Sequence, residues 1–166
     1  KQEGLRRFLG VADQVFARHG IDLVIAGKIP DDFRRSLDGQ LRATRLLGWV
    51  EDPTEVLEAC RIGVLAEPLG GGFKLKALDY VFNDVAVASL AHSAAGLPFA
   101  AGESMILGDD ESALVEAIAA AIDDPVFLQR LVLEAREIAC ERFSWSSAAR
   151  SLIEVVTTRR APTTET

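Results

Sequence analysis

From Gln2 to Arg18, Leu5, Phe8, Leu9, Ala12, Val15 and Phe16 recur at helical spacing with charged residues between them, and His19-Gly20 closes the run as a C-cap would. The period then changes. Ile21–Ala26 is a short β-branched run ending at Gly27-Lys28, and it reads as a strand buried on both faces. A short charged helix or turn over Asp31–Leu37 follows, then a strand over Arg45–Val50. Asp52 is placed to cap a helix that opens with Pro53 and ends near Cys60. Further strands are predicted over Ile62–Ala66, Val85–Ser89 and Ser104–Leu107, with a helix from about Phe73 to Phe82 between the first two. Helices over Ser112–Ile122, Pro125–Arg142 and Ser146–Thr158 complete the pattern.

Alternating short buried strands and helices predict an α/β fold, a doubly wound (Rossmann-like), mostly parallel sheet with helices on both faces. Residues 1–158 form the expected domain. Residues 159–166 have no apolar face to bury and are expected to fray.

Composition narrows the functional classes. With 166 residues, 49% of them hydrophobic, the chain is long enough to bury a real core. Its net charge of -7 argues against nucleic acid as the main partner, which needs an electropositive face. No apolar run approaches the ~20 residues of a membrane span, and no signal peptide opens the chain. Cys60 and Cys140 lack metal spacing and read as small buried hydrophobes in a reducing, cytoplasmic compartment. His19 and His92 are well separated, so no protein-built metal site and no cofactor are expected. A chain that starts at Lys1 is read as a segment of something longer.

One stretch carries chemistry. An apolar run ends at Glu67-Pro68, Gly70-Gly71-Gly72 follow, and a helical pattern then begins with Lys74 and Lys76 in its first turns and Asp79 beyond them. Glycines let backbone N–H groups approach a ligand closely, and the positive end of the following helix favours a phosphate. The alternative for this stretch is a glycine-rich connection whose lysines merely solvate a helix face. His92 reads as a loop histidine, Ser144 as a helix cap and Trp145 as a packing residue; the acidic runs at Asp109–Glu111 and Asp123-Asp124 read as helix-start charges.

Gly70–Asp79 resembles the loop and helix that family 4 glycosyltransferases, the group 1 retaining enzymes of the GT-B fold, place against the donor diphosphate. Their usual pattern is three glycines, Thr, Arg, Leu, Lys, two aliphatic residues and Glu. Leu23–Gly27, Gly48-Trp49-Val50-Glu51-Asp52, Asp84–Ser89 and Glu141-Arg142-Phe143-Ser144-Trp145 are similar to other segments of the family, in the same order, over about residues 3 to 157. The resemblance implies the C-terminal, nucleotide-sugar-binding half of a retaining glycosyltransferase that moves a sugar to a glycan, lipid or small-molecule acceptor. In that reading Gly70, Gly71, Gly72 and Phe73, helped by Lys74 and Lys76, meet the donor diphosphate. Asp79 faces the ribose, Trp49 and Val50 line the base pocket, and Gly27 and Lys28 sit at the crevice.

No catalytic side chain is assigned, and the isolated segment is expected to turn over nothing, because the acceptor site belongs to a missing N-terminal domain. Asp79 is one methylene shorter than the family's glutamate, Gly71 stands where a second glutamate is often found, and Asp84 stands in place of a turn glycine. These departures leave a second functional class, a non-catalytic binding or scaffolding domain descended from such an enzyme. The family's first strand precedes the helix that here begins at Gln2, and it sits mid-sheet. The gap it leaves is expected to be closed by rearranged pairing, by self-association with another copy, or by residues outside this sequence.

Overall fold

The computed structural model describes residues 2–67 and 74–143. The expected helix at Ser146–Thr158, the Ser144-Trp145 pair and the tail lie outside these residues, as do Gly70–Phe73.

In chain order the elements are α1 (Gln2–His19), β1 (Leu23–Ala26), α2 (Asp31–Leu37), β2 (Thr44–Gly48), α3 (Pro53–Leu57), β3 (Ile62–Leu65), α4 (Leu75–Phe82), β4 (Ala86–Leu90), β5 (Ile106–Gly108), α5 (Glu111–Ala121) and α6 (Pro125–Phe143). The predicted alternation holds, with boundaries moved by one to a few residues. The cap at Asp52 falls where the sequence placed it, its carboxylate accepting from the Thr54 N–H at 2.8 Å; Asp110, read as a helix-start charge, also caps α5 by accepting from the Ala113 N–H at 2.8 Å.

Every strand pairing is parallel, but the strands form two ladders, β1-β2 and β3-β4-β5. Among the described residues no strand joins β1 to β3. β4 is the middle of its ladder and is buried throughout. Its pleat sends Ala86, Ala88 and Leu90 into a core shared with α1, α5 and α6, and Val87 into a second core built from Leu65, Ala77 and Val81, with Ala135 and Ala139 of α6. Helices thus cover both faces.

The expectation that β1 is buried on both faces is corrected. Leu23, Val24 and Ile25 are only half-buried and Ala26 is exposed, because among the described residues β1 has a ladder partner on one edge alone. Cys140 is also exposed: it follows Ala139 on α6, one step off the face that packs on the sheet, while Cys60 is half-buried and held above the usual thiol pKa by burial.

Helix α1 connects the two ladders. Phe8, Ala12 and Phe16 join the core that contains Leu114, Val115 and Ile118 of α5, whereas Leu9 packs with Phe33 and Leu37 of α2. Each of the buried Phe and Leu side chains contributes about 1.5–3 kcal/mol. Asp13 lies on the buried face and accepts hydrogen bonds from the Arg42 N–H at 2.8 Å and the Ala43 N–H at 3.0 Å, tying α1 to the chain entering β2. Burial works against its ionisation, but donation from the backbone of Arg42 and Ala43, with Thr44 close by, outweighs this and holds the carboxyl below its ordinary range. Arg7 reaches Glu111 on α5 at 2.5 Å.

Candidate functional site

The end of β3 and the start of α4 are assembled by contacts of low sequence separation but opposite charge. The chain leaves β3 through Ala66 and Glu67, and the Ser93 hydroxyl, from the turn after β4, donates to the Glu67 carbonyl. That bond fixes the last described residue before the glycine segment. On the far side of the segment, Lys76 donates to Glu67 Oε1 at 2.7 Å, and the Lys74 ammonium lies 3.9 Å from Oε2. One carboxylate thus faces two ammonium groups.

Lys74 and Lys76 therefore come together where helix α4 begins, the end at which a helix dipole favours an anion. Asp79 is exposed on α4 one turn beyond Lys76, the spacing that puts two side chains on one helix face. Beneath them the Tyr80 ring packs over Gly63 of β3, where an added Cβ would lie 2.4 Å from the ring. Burial pushes the Tyr80 phenol up to about 12, and the charges of Cys60, Glu67 and Asp79 act in the same direction.

A second group of expected residues gathers at the C-terminal ends of β1 and β2. The Gly27 N–H donates to the Gly48 carbonyl at 2.6 Å. Both glycines have positive φ, +129° and +76°, a conformation that L side chains rarely adopt. Lys28 and Trp49 follow these turns into solvent, Trp49 with 81% of its surface exposed, and Val50 is half-buried. An indole so exposed, carried on a fixed turn, is open to stacking on a flat ligand. The Arg34 guanidinium of α2 donates to the Leu46 carbonyl at 3.4 Å and would lie 3.2 Å from a Cβ at Gly48, so it braces the same turn.

Glu67, Ser93 and Arg34 were not singled out by sequence. Nothing in the residue types marks them, since each acts through a partner 9 to 26 positions away. Among the described residues no group of three or more His, Cys, Asp or Glu side chains is placed to hold a metal ion, and no helix is long and apolar enough to cross a membrane.

Parallel ladders, the larger of them covered by helices on both faces, define a doubly wound α/β domain. Residues 1–124 match the sequence family described as glycosyl transferases group 1, and the chain belongs to that family. Comparison with curated protein sequences gives no match.

Among solved structures the fold is shared with Anabaena HepE in complex with UDP, at 15% identity and a TM-score of 0.76, over 92% of this chain and 45% of HepE. It is shared with sucrose-phosphate synthase from Thermosynechococcus elongatus, at 21% identity and a TM-score of 0.69, over 94% of this chain and 43% of the synthase. A third similar structure is the C-terminal domain of a group 1 glycosyl transferase (LpcC) from Francisella tularensis, at 15% identity and a TM-score of 0.62, over 81% of this chain and 93% of that domain. The chain spans less than half the length of the first two proteins and has the fold of GT-B C-terminal domains.

Proposed function

We propose that this chain is the donor-binding half of a retaining glycosyltransferase that transfers a hexosyl unit from a nucleotide diphosphate sugar. The observation that carries the reading is the lysine pair at the start of α4, directly beyond the glycine segment, in a fold shared with a UDP complex. In this reading the backbone N–H groups of Gly70–Phe73, with Lys74 and Lys76, take the diphosphate. Asp79 reaches for the ribose. Trp49 and Val50 hold the base, and Gly27 and Lys28 border the crevice. Preorganised donors at a helix start stabilise the departing diphosphate without a metal ion, so no side chain of this chain has to act as a base.

The acceptor, a glycan, lipid or small molecule such as an envelope polysaccharide precursor, is held by an N-terminal domain. A strand from outside the described residues, or from a second copy, lies between β1 and β3. The unpaired cysteines Cys60 and Cys140 fit a cytoplasmic setting.

The reading is tested by titrating the full-length protein with UDP-, GDP- and ADP-sugars in a calorimeter and following any transfer by NMR of the anomeric proton. Binding with a retained anomeric configuration is the expected result. Binding without transfer to any acceptor assigns the chain to the non-catalytic class instead, which the shortened Asp79 favours. No response to any donor defeats the transferase reading and leaves the scaffolding class.

A further inference from the structure

The pairing of Glu67 with Lys74 and Lys76 carries a consequence for ligand affinity, and it rests on the reading that these lysines meet an anion. The carboxylate spans the two ends of the glycine segment, with Oε1 at 2.7 Å from Lys76 and Oε2 at 3.9 Å from Lys74. Only 12% of the Lys74 side chain is exposed, compared with 27% for Glu67 and 60% for Lys76. Glu67 thus places a carboxylate beside an ammonium group held largely out of water. The whole chain is acidic, at -7, but here the ammonium groups of Lys74 and Lys76 both face the Glu67 carboxylate.

A diphosphate brought to the lysines meets a carboxylate already there. Both anions seek the same donors, and a carboxylate and a phosphate oxygen accept from an ammonium group with the same geometry. We infer that Glu67 is a built-in counter-anion for the lysine pair, one that competes with the diphosphate of the donor and sets how tightly it is held. It keeps both lysine side chains oriented in the absence of ligand, and it gives way as the diphosphate enters. Its backbone position does not depend on the carboxylate, because Ser93 holds the Glu67 carbonyl. Replacing the side chain therefore leaves the turn anchored.

The test measures binding of inorganic pyrophosphate and of UDP to the full-length protein and to its Glu67→Gln, Glu67→Asp and Lys76→Ala variants. Glu67→Gln is expected to tighten both ligands by about three- to fivefold at low salt, the range set by a partly exposed ion pair. The gain shrinks as salt screens the charges. Lys76→Ala weakens both ligands. Glu67→Asp, which keeps the charge on a shorter stem, falls between wild type and Glu67→Gln and stands in should Glu67→Gln not fold. If Glu67→Gln binds no more tightly than wild type while Lys76→Ala still binds more weakly, Glu67 only orients the lysines; the inference is then overturned and the donor-site reading stands. If neither ligand binds wild type, or Lys76→Ala changes nothing, the donor-site reading itself has failed and the inference falls with it.

Discussion

Strands β1 and β4 have surroundings opposite to what their sequences suggest. Leu23-Val24-Ile25-Ala26 carries the larger apolar side chains, yet it is half-buried, whereas Ala86-Val87-Ala88-Ser89-Leu90 is buried at every position. The difference lies in neighbours. β4 is paired on both edges and packed by helices on both faces, while β1 is paired on one edge. Burial in a sheet is set by where a strand sits in the ladder, and small residues in β4 are what allow helices to approach it so closely.

The most direct way to break this comparison is to truncate one side chain in each strand. Leu90→Ala removes a fully buried side chain from the middle ladder and is expected to cost about 3–4 kcal/mol in denaturant unfolding. Ile25→Ala, at a half-buried position, is expected to cost about half as much. Equal costs would mean that both ladders belong to one equally packed core.

A smaller effect separates the ladders by pH. The Tyr80 phenol, buried over Gly63 of β3, has its pKa raised from 10.0 to about 12, so the folded state holds its proton more tightly than the unfolded chain does. The stabilisation is complete below pH 10 and is lost as pH rises through about 12. Its size is on the order of 2 kcal/mol. Tyr80→Phe should flatten this alkaline limb, and wild-type amides of β3 and β4 should lose hydrogen-exchange protection across it. An unchanged limb in the variant would assign the loss to another group.

The smallest effect concerns the link between the two regions. Arg7 and Glu111 pair across α1 and α5, but the Arg7 side chain is 55% exposed. Arg7→Ala should cost less than about 1 kcal/mol, because apolar packing of Phe8, Ala12 and Phe16 carries the contact. A loss above that in thermal unfolding would show that the ion pair, and not the packing, joins the ladders.

What the sequence made legible was local. The change of period from α1 to β1 and the cap at Asp52 depend on neighbours within a few positions, and both are present. The half-buried state of β1 was not legible, because it depends on a ladder that residue types do not specify. Gly63 looked like an ordinary strand residue; only the packing of α4 over β3 shows that its missing Cβ makes room for Tyr80. At the candidate site, the lysines were legible from the glycine pattern beside them. Their pairing with Glu67 was not, since it needs the fold to bring the two ends of that pattern together.

Asp84 is the one non-glycine residue with positive φ among the described residues, at 57°, and its carboxylate meets the Arg136 guanidinium of α6. A glycine there would relieve the backbone cost and give up the ion pair, and both terms are small, about 1 kcal/mol or less. The two choices lie close in free energy. The turn before β4 is therefore a nearly neutral position, where substitution can drift between a conformational solution and an electrostatic one without disturbing the most deeply buried strand beside it.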